Sequence, residues 1–341
     1  MLSASAPITN DPARAGAAIA AGALVGLPTE TVYGLAADAT NAAAVRAIFA
    51  AKRRPINSPL IVHIKDAAQT SVWARDVPAW AGELARAFWP GPMTLVLQSN
   101  GHAAREVTAG GGTIALRVPD HALALAAIAA SGAGVAAPSA NKHGAVSPTR
   151  AEHVSASFTS TIVACVLDGG ACAVGVESTI IDCTSTHPII LRSGAITAQQ
   201  ITQVTGMSVT DRIERLAVAD LGAAATPAPG QARSHYAPRA RVELAESTAR
   251  ALERHAQLTA AGEHVVLLLG DVVTTDLDNS LRNDALIATT RDDVFAQELY
   301  GALRSADDRR ADVVIAVAPP HGPLADATRD RLHRASAPRD H

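Results

Sequence analysis

Lysine is almost missing from this sequence. Lys52, Lys65 and Lys142 stand against 26 arginines in 341 residues. Aromatic side chains are scarce too, at 3%. A GC-rich genome produces both an arginine bias and abundant alanine, so the arginine count is not read as nucleic-acid binding. Charge argues the same way. Residues 1–205 hold 13 basic and 12 acidic side chains, the remainder 16 and 20, for a formal net charge of -3. Neither half is a polycation able to track a phosphate backbone. Cysteine is limited to Cys165, Cys172 and Cys183, with no Cys-x-x-Cys. That excludes a disulfide framework or zinc ribbon and fits a reducing cytoplasm. The opening MLSASAPITNDPARAG lacks the charged-then-apolar design of a secretory signal. The apolar stretch 121–138 is broken by Ser131, Gly132 and Gly134 and falls short of a membrane span, so no membrane association is expected.

What is present suffices for two cored domains: 48% of residues are hydrophobic and 18% charged. Asp11-Pro12 opens a helix, Asp as N-cap and Pro at the first helical position. Helical spacing predicts helices over 41–53, 78–91, 121–131 and 197–206. Short apolar runs predict strands over 24–28, 59–64, 93–98, 113–119, 163–170, 178–183 and 189–192. GVAAPSAN (134–141) reads as a short buried strand running into a loop. These elements make a first domain, 1–206. Residues 207–240, including TPAPGQARSHYAPRAR, are rich in proline and small residues and read as a linker. Beyond it, strands over 241–244, 264–270 and 311–317 alternate with helices over 246–261, 291–306 and 322–335. That is the pattern of a small parallel α/β, Rossmann-like domain over 241–341.

Familiar nucleotide signatures are absent. There is no P-loop, and GAGVAA (132–137) follows a helix and leads into a strand, the wrong context for a dinucleotide fingerprint. Five stretches set polar groups where chemistry could use them, each with a plainer alternative. PTETVYGLAADA (28–39) places Thr29, Glu30, Thr31 and Tyr33 after the first strand, suited to a small polar ligand such as an amino acid, or to a capping box for a following helix. KRRP (52–55) puts three cations at a helix end. One or two would complement the helix dipole; a lysine and an arginine converging on one ligand suit triphosphate. GGGTIALR (110–117) is either an anion-binding glycine turn ending in Arg117 or a hairpin with a surface arginine. APSAN (137–141) carries Ser139 and Asn141 at a strand end. SHYAP (234–238) is a water-excluding lid or a passive tether.

Taken in order, PTETVYGL, KRRPINSPLIVHI, FWPGPMTLVL, GGTIALRVPDH, APSAN with SPT, GVESTIID and ILRSGAI resemble the YrdC-like family, the threonylcarbamoyl-AMP synthases. The trailing PGQARSHYAPRA and the α/β pattern behind it resemble their long two-domain form. The resemblance implies a twisted, mixed α/β sheet with a concave cavity. It implies synthesis of L-threonylcarbamoyl-adenylate and pyrophosphate from L-threonine, bicarbonate or CO2, and ATP with Mg²⁺. A downstream transferase complex would then modify an adenosine beside the tRNA anticodon. Thr31, His63, Arg117, Ala137 through its backbone, and Ser178 resemble threonine-binding positions. Arg54, Ser58, Thr113, Ser139, Asn141, Ser147, Arg192 and Tyr236 resemble nucleotide-binding ones. Lys52 and Arg54 are the expected catalytic cations, with Arg53 turned outward. Two competing assignments are a carbamoyl-adenylate site of the hydrogenase-maturation type, for which the cysteines are too few, and an RNA-binding module, for which the charge of residues 1–205 is too near zero. Weak RNA contact is kept only as a secondary expectation.

Overall fold

A computed structural model describes residues 4–211 and 236–338. Most of the expected linker, including His235 of the SHYAP stretch, lies outside the described residues. The chain divides into two compact units, the first holding 1–143, 148–173 and 177–231, the second 144–147, 174–176 and 232–341.

The first unit runs β1 (Ile8–Thr9), α1 (Pro12–Ala20), β2 (Leu24–Leu27), β3 (Gly34–Asp38), α2 (Ala42–Lys52), β4 (Ile61–His63), α3 (Thr70–Trp73), β5 (Ala74–Arg75), α4 (Ala79–Phe88), β6 (Met93–Ser99) and β7 (Thr113–Arg117). It continues through α5 (Ala122–Ser131), β8 (Val135–Ala136), α6 (Ala151–Ser157), β9 (Val163–Leu167), β10 (Thr179–Asp182), β11 (Ile189–Arg192), α7 (Ala198–Thr205) and β12 (Thr210–Asp211). One mixed sheet orders its strands β1-β9-β2-β3-β8-β4-β7-β6-β10-β11-β12, with β5 beside β6. Asp11 caps α1 through its side chain and Asn41 caps α2. Gly132 ends α5 in the left-handed conformation at φ 71°, which stops the apolar 121–138 stretch. Among the described residues, no helix is long and apolar enough to cross a membrane.

Alternation along the strands decides where chemistry can sit. Ile114 and Leu116 of β7 point into the large core shared with α2 and α4. Ala115 points the other way, with Ile61, Val96, Ile180 and Leu191. Side chains two residues apart share a face, so His63, Arg117, Thr94 and Ser178 border that second apolar patch. The plainer alternative for PTETVYG, a capping box before a helix, does not hold: strand β3 follows, antiparallel to β2 and β8.

In α7, Thr197 and Gln200 form a complete capping box. Thr197→Ala should lower unfolding free energy by about 1 kcal/mol. Urea denaturation checks this, and the activity of the folded fraction should be unchanged.

The second unit holds β13 (Arg241–Leu244), α8 (Thr248–Ala260), β14 (Val265–Leu269), β15 (Ala285–Ala288), α9 (Asp292–Asp308), β16 (Val313–Val317) and α10 (Ala325–Ser336). Its sheet is wholly parallel in the order β13-β16-β14-β15. Strand β14 is buried along its full length, as expected of a parallel strand covered on both faces. The α/β pattern after residue 240 predicts this sheet but omits β15.

Candidate active site

Pro28 ends β2, and a turn built on Thr29 follows. Its Oγ1 accepts the Thr31 and Val32 N–H groups at 3.2 Å and donates to the Val32 carbonyl at 2.7 Å, a local hydroxyl turn. The turn buries Glu30 and Thr31 and presents them to Arg117. In the parallel pair β4–β7, Arg117 lies directly opposite His63, so the register brings both residues together at the strands' C-terminal ends.

Arg117 is held on three sides. Nε donates to the Gly91 carbonyl at 3.2 Å and Nη1 to Thr31 Oγ1 at 2.9 Å. Nη2 lies 2.7 Å from Glu30 Oε1, an ion pair by distance though not aligned as a hydrogen bond. The partners are 4% and 7% exposed, so the pair is nearly dry. Glu30 Oε2 and His63 Nδ1 are buried with no hydrogen-bond partner among the described residues. Burial first, and then the charge of Arg117, push the His63 ring down to about 3, so it is neutral at ordinary pH. A neutral imidazole with an unmet nitrogen suits a hydroxyl ligand.

Ser178, just before β10, shares its Oγ with Thr94 at 2.8 Å and with Arg192 Nη2 at 3.0 Å, while Arg192 Nε donates to the Ser178 carbonyl at 3.0 Å. Arg192 is buried at the end of β11. A residue expected at the amino acid thus touches one expected at the nucleotide. Thr94 is an addition, since inside MTLVLQ it passes for strand filler. Glu30 is offered by its motif as part of a small-ligand site, but its contact with Arg117 is not given by the sequence.

The cationic stretch separates cleanly. Lys52 is the last residue of α2 and is buried. Its Nζ donates to the Ser139 and Asn141 carbonyls, both at 2.5 Å. Burial, then Arg54, then Lys142 push its pKa well below the usual lysine range. Arg53 is exposed and ends the helix in the left-handed conformation at φ 54°. Arg54 is half-buried, its Nη2 donating to the Pro59 carbonyl at 3.3 Å. Lys142 Nζ reaches back to the Ala51 carbonyl at 2.6 Å. The end of α2 and the 139–142 loop are therefore laced together by two ammonium groups.

The remaining positions are more loosely tied. Ala137 donates its N–H to the Ile61 carbonyl at 3.0 Å. Ser58 is half-buried and closes a turn onto the Pro55 carbonyl. Thr113 is exposed and pairs with Gln98 in the ladder. Ser147 and Tyr236 belong to the second unit. There Arg304 Nη2 donates to the Val146 carbonyl at 2.5 Å, and Tyr236, at φ 63°, stacks on Tyr300 with centroids 5.6 Å apart. A cavity of about 380 Å³ near Asp38, Trp73 and His102 contains none of the predicted residues.

Two family models match the chain. Residues 17–194 match the Sua5–YciO–YrdC model, described as telomere recombination. Residues 196–337 match the model for the threonylcarbamoyl-AMP synthase C-terminal domain. The threonylcarbamoyl-AMP synthase of Bacillus subtilis (strain 168) is 39% identical over 339 residues, covering 97% of this chain and 95% of its own length. That of Pyrococcus abyssi is 39% identical over 316 residues, covering 92% and 91%. The crystal structure of P. abyssi Sua5 complexed with L-threonine superposes with a TM-score of 0.85 at 37% identity, covering 95% of this chain and 94% of that one.

Proposed function

The chain belongs to the threonylcarbamoyl-AMP synthases, enzymes of nucleotidyltransferase type, and from that premise we propose that it makes L-threonylcarbamoyl-adenylate and pyrophosphate from L-threonine, bicarbonate-derived CO2 and ATP. The contact between Ser178 and Arg192 carries this reading. It brings a residue expected at the amino acid against one expected at the nucleotide.

Arg117 would take the threonine carboxylate as a charge-assisted fork. Neutral His63 and Thr31 would meet the side-chain hydroxyl. The amine, once neutral, adds to CO2 and loses a proton to become a carbamate. A carbamate oxygen then attacks the α-phosphorus, the P–O bond to the β-phosphate breaks, and pyrophosphate departs. Both reactants are anions, so the work of the site is alignment and charge neutralisation. Lys52, Arg54 and Arg192 are suited to that task, with Ser58, Thr113, Ser139, Asn141, Ser147 and Tyr236 as further nucleotide contacts. Mg²⁺ enters as part of the substrate, on the phosphates of ATP. The product would pass in the cytoplasm to a transferase complex acting on adenosine beside the tRNA anticodon.

The test is pyrophosphate release by the full chain with each substrate omitted in turn. Omission of L-threonine or bicarbonate should reduce release to background. Turnover that continues without threonine would sink the proposal.

A further inference from the structure

Glu30 has no place in the chemistry above, yet it is a buried carboxylate in contact with Arg117. It lies 7% exposed in the turn after β2, with Oε1 2.7 Å from Arg117 Nη2 and Oε2 buried without a hydrogen-bond partner among the described residues. Its charge is also felt by buried Cys172, whose thiol is pushed up to about 12 by burial first and Glu30 second. Both carboxylate oxygens are shielded from solvent, as is Arg117 Nη2 beside them. Next to this pair His63 is neutral, and Thr31, Thr94 and Ser178 bring only hydroxyls. Arg117 and Glu30 therefore set one positive and one negative charge in contact. Arg192 supplies its cation at the neighbouring Ser178.

We propose that Glu30 is a positioning and charge-balancing residue that fixes the Arg117 fork and makes the pocket select a zwitterionic amino acid over a monoanion of the same shape. This rests on threonine being the substrate. An unbalanced buried guanidinium would favour any carboxylate and repel an ammonium group. A balanced one gives no net advantage to a ligand that brings only negative charge.

Calorimetric titration of the full-length protein with L-threonine, 3-hydroxybutyrate (threonine without its amine) and threoninamide (its cation) tests this. Wild type should bind threonine roughly tenfold or more tighter than either analogue. In Glu30→Gln the preference for threonine over 3-hydroxybutyrate should fall by roughly tenfold or more, because a unit charge a few ångströms from the ligand is removed. Glu30→Asp keeps the charge and should keep that preference, even where both affinities weaken. A merely structural Glu30 would weaken both ligands equally in Glu30→Gln, and an unshifted ratio overturns the proposal. If Glu30→Gln does not fold, the wild-type series decides, and 3-hydroxybutyrate binding as tightly as threonine overturns it. Failure of wild type to bind threonine at all would defeat the threonine assignment itself.

Discussion

Lys52→Ala is expected to lower pyrophosphate release by roughly two orders of magnitude or more, with a folded chain by circular dichroism. The plainer account of KRRP, a cation complementing a helix dipole, predicts an exposed ammonium whose loss costs well under 1 kcal/mol. The Lys52 side chain is instead 2% exposed, and its Nζ bridges the carbonyls of Ser139 and Asn141. The neighbouring charges acting on it, those of Arg54 and Lys142, are both positive. Burying an ammonium among cations is expensive, and the proposed triphosphate would relieve that cost. Lys52 also holds the loop carrying Ser139 and Asn141, two of the proposed nucleotide contacts. Ala therefore removes a charge and an anchor together. Lys52→Met keeps the bulk and loses only the charge, so it should be nearly as inactive. Arg53→Ala, at the exposed helix end, should retain most of the activity. Steady-state release at saturating ATP and threonine measures all three. Near-wild-type turnover in Lys52→Ala would return this residue to a structural role.

The legible parts of this protein are those where a polar residue interrupts an apolar run. His63 after PLIV and Arg117 after TIAL stand out as polar residues ending apolar strands, though both prove buried and their roles come from the family resemblance. The helix ends are similarly readable from Asp11, Asn41 and Gly132. Strand β3 is not. GLAAD has no β-branched residue and no alternation, and its strand state comes from pairing with β2 and β8. Thr94 is hidden for a different reason. Within MTLVLQ it reads as strand filler, and it becomes a partner of Ser178 only through the parallel β6–β10 register, in which it faces Ile180. Glu30 is visible in its motif, but a single sequence does not say which cation a buried carboxylate meets. That information lies in a loop and a strand end 87 residues apart.

Arg117→Ala should destabilise the fold by about 3–5 kcal/mol, because it strands Glu30 as a buried charge without its partner. It should also weaken L-threonine binding by roughly a hundredfold or more, since the guanidinium proposed to take the threonine carboxylate is lost. Those two losses must be separated, because a partly unfolded protein also binds poorly. The double substitution Glu30→Gln with Arg117→Met separates them. Neutral groups of similar volume in place of a buried ion pair often restore stability, so urea denaturation should recover most of what Arg117→Ala loses. Threonine binding should stay absent in the double variant, because no guanidinium remains for the carboxylate. ATP affinity should be changed little, since Lys52, Arg54 and Arg192 are intact. Recovery of threonine binding along with stability would mean that Arg117 serves the fold alone, and the carboxylate-binding role would pass to another cation of the site. Arg117→Lys probes the geometry between these extremes. The three contacts fall on three different guanidinium nitrogens, a spread that one ammonium nitrogen does not reproduce, so the charge survives while the alignment does not. The expected signature is a threonine KM raised roughly tenfold or more, with the ATP KM unmoved.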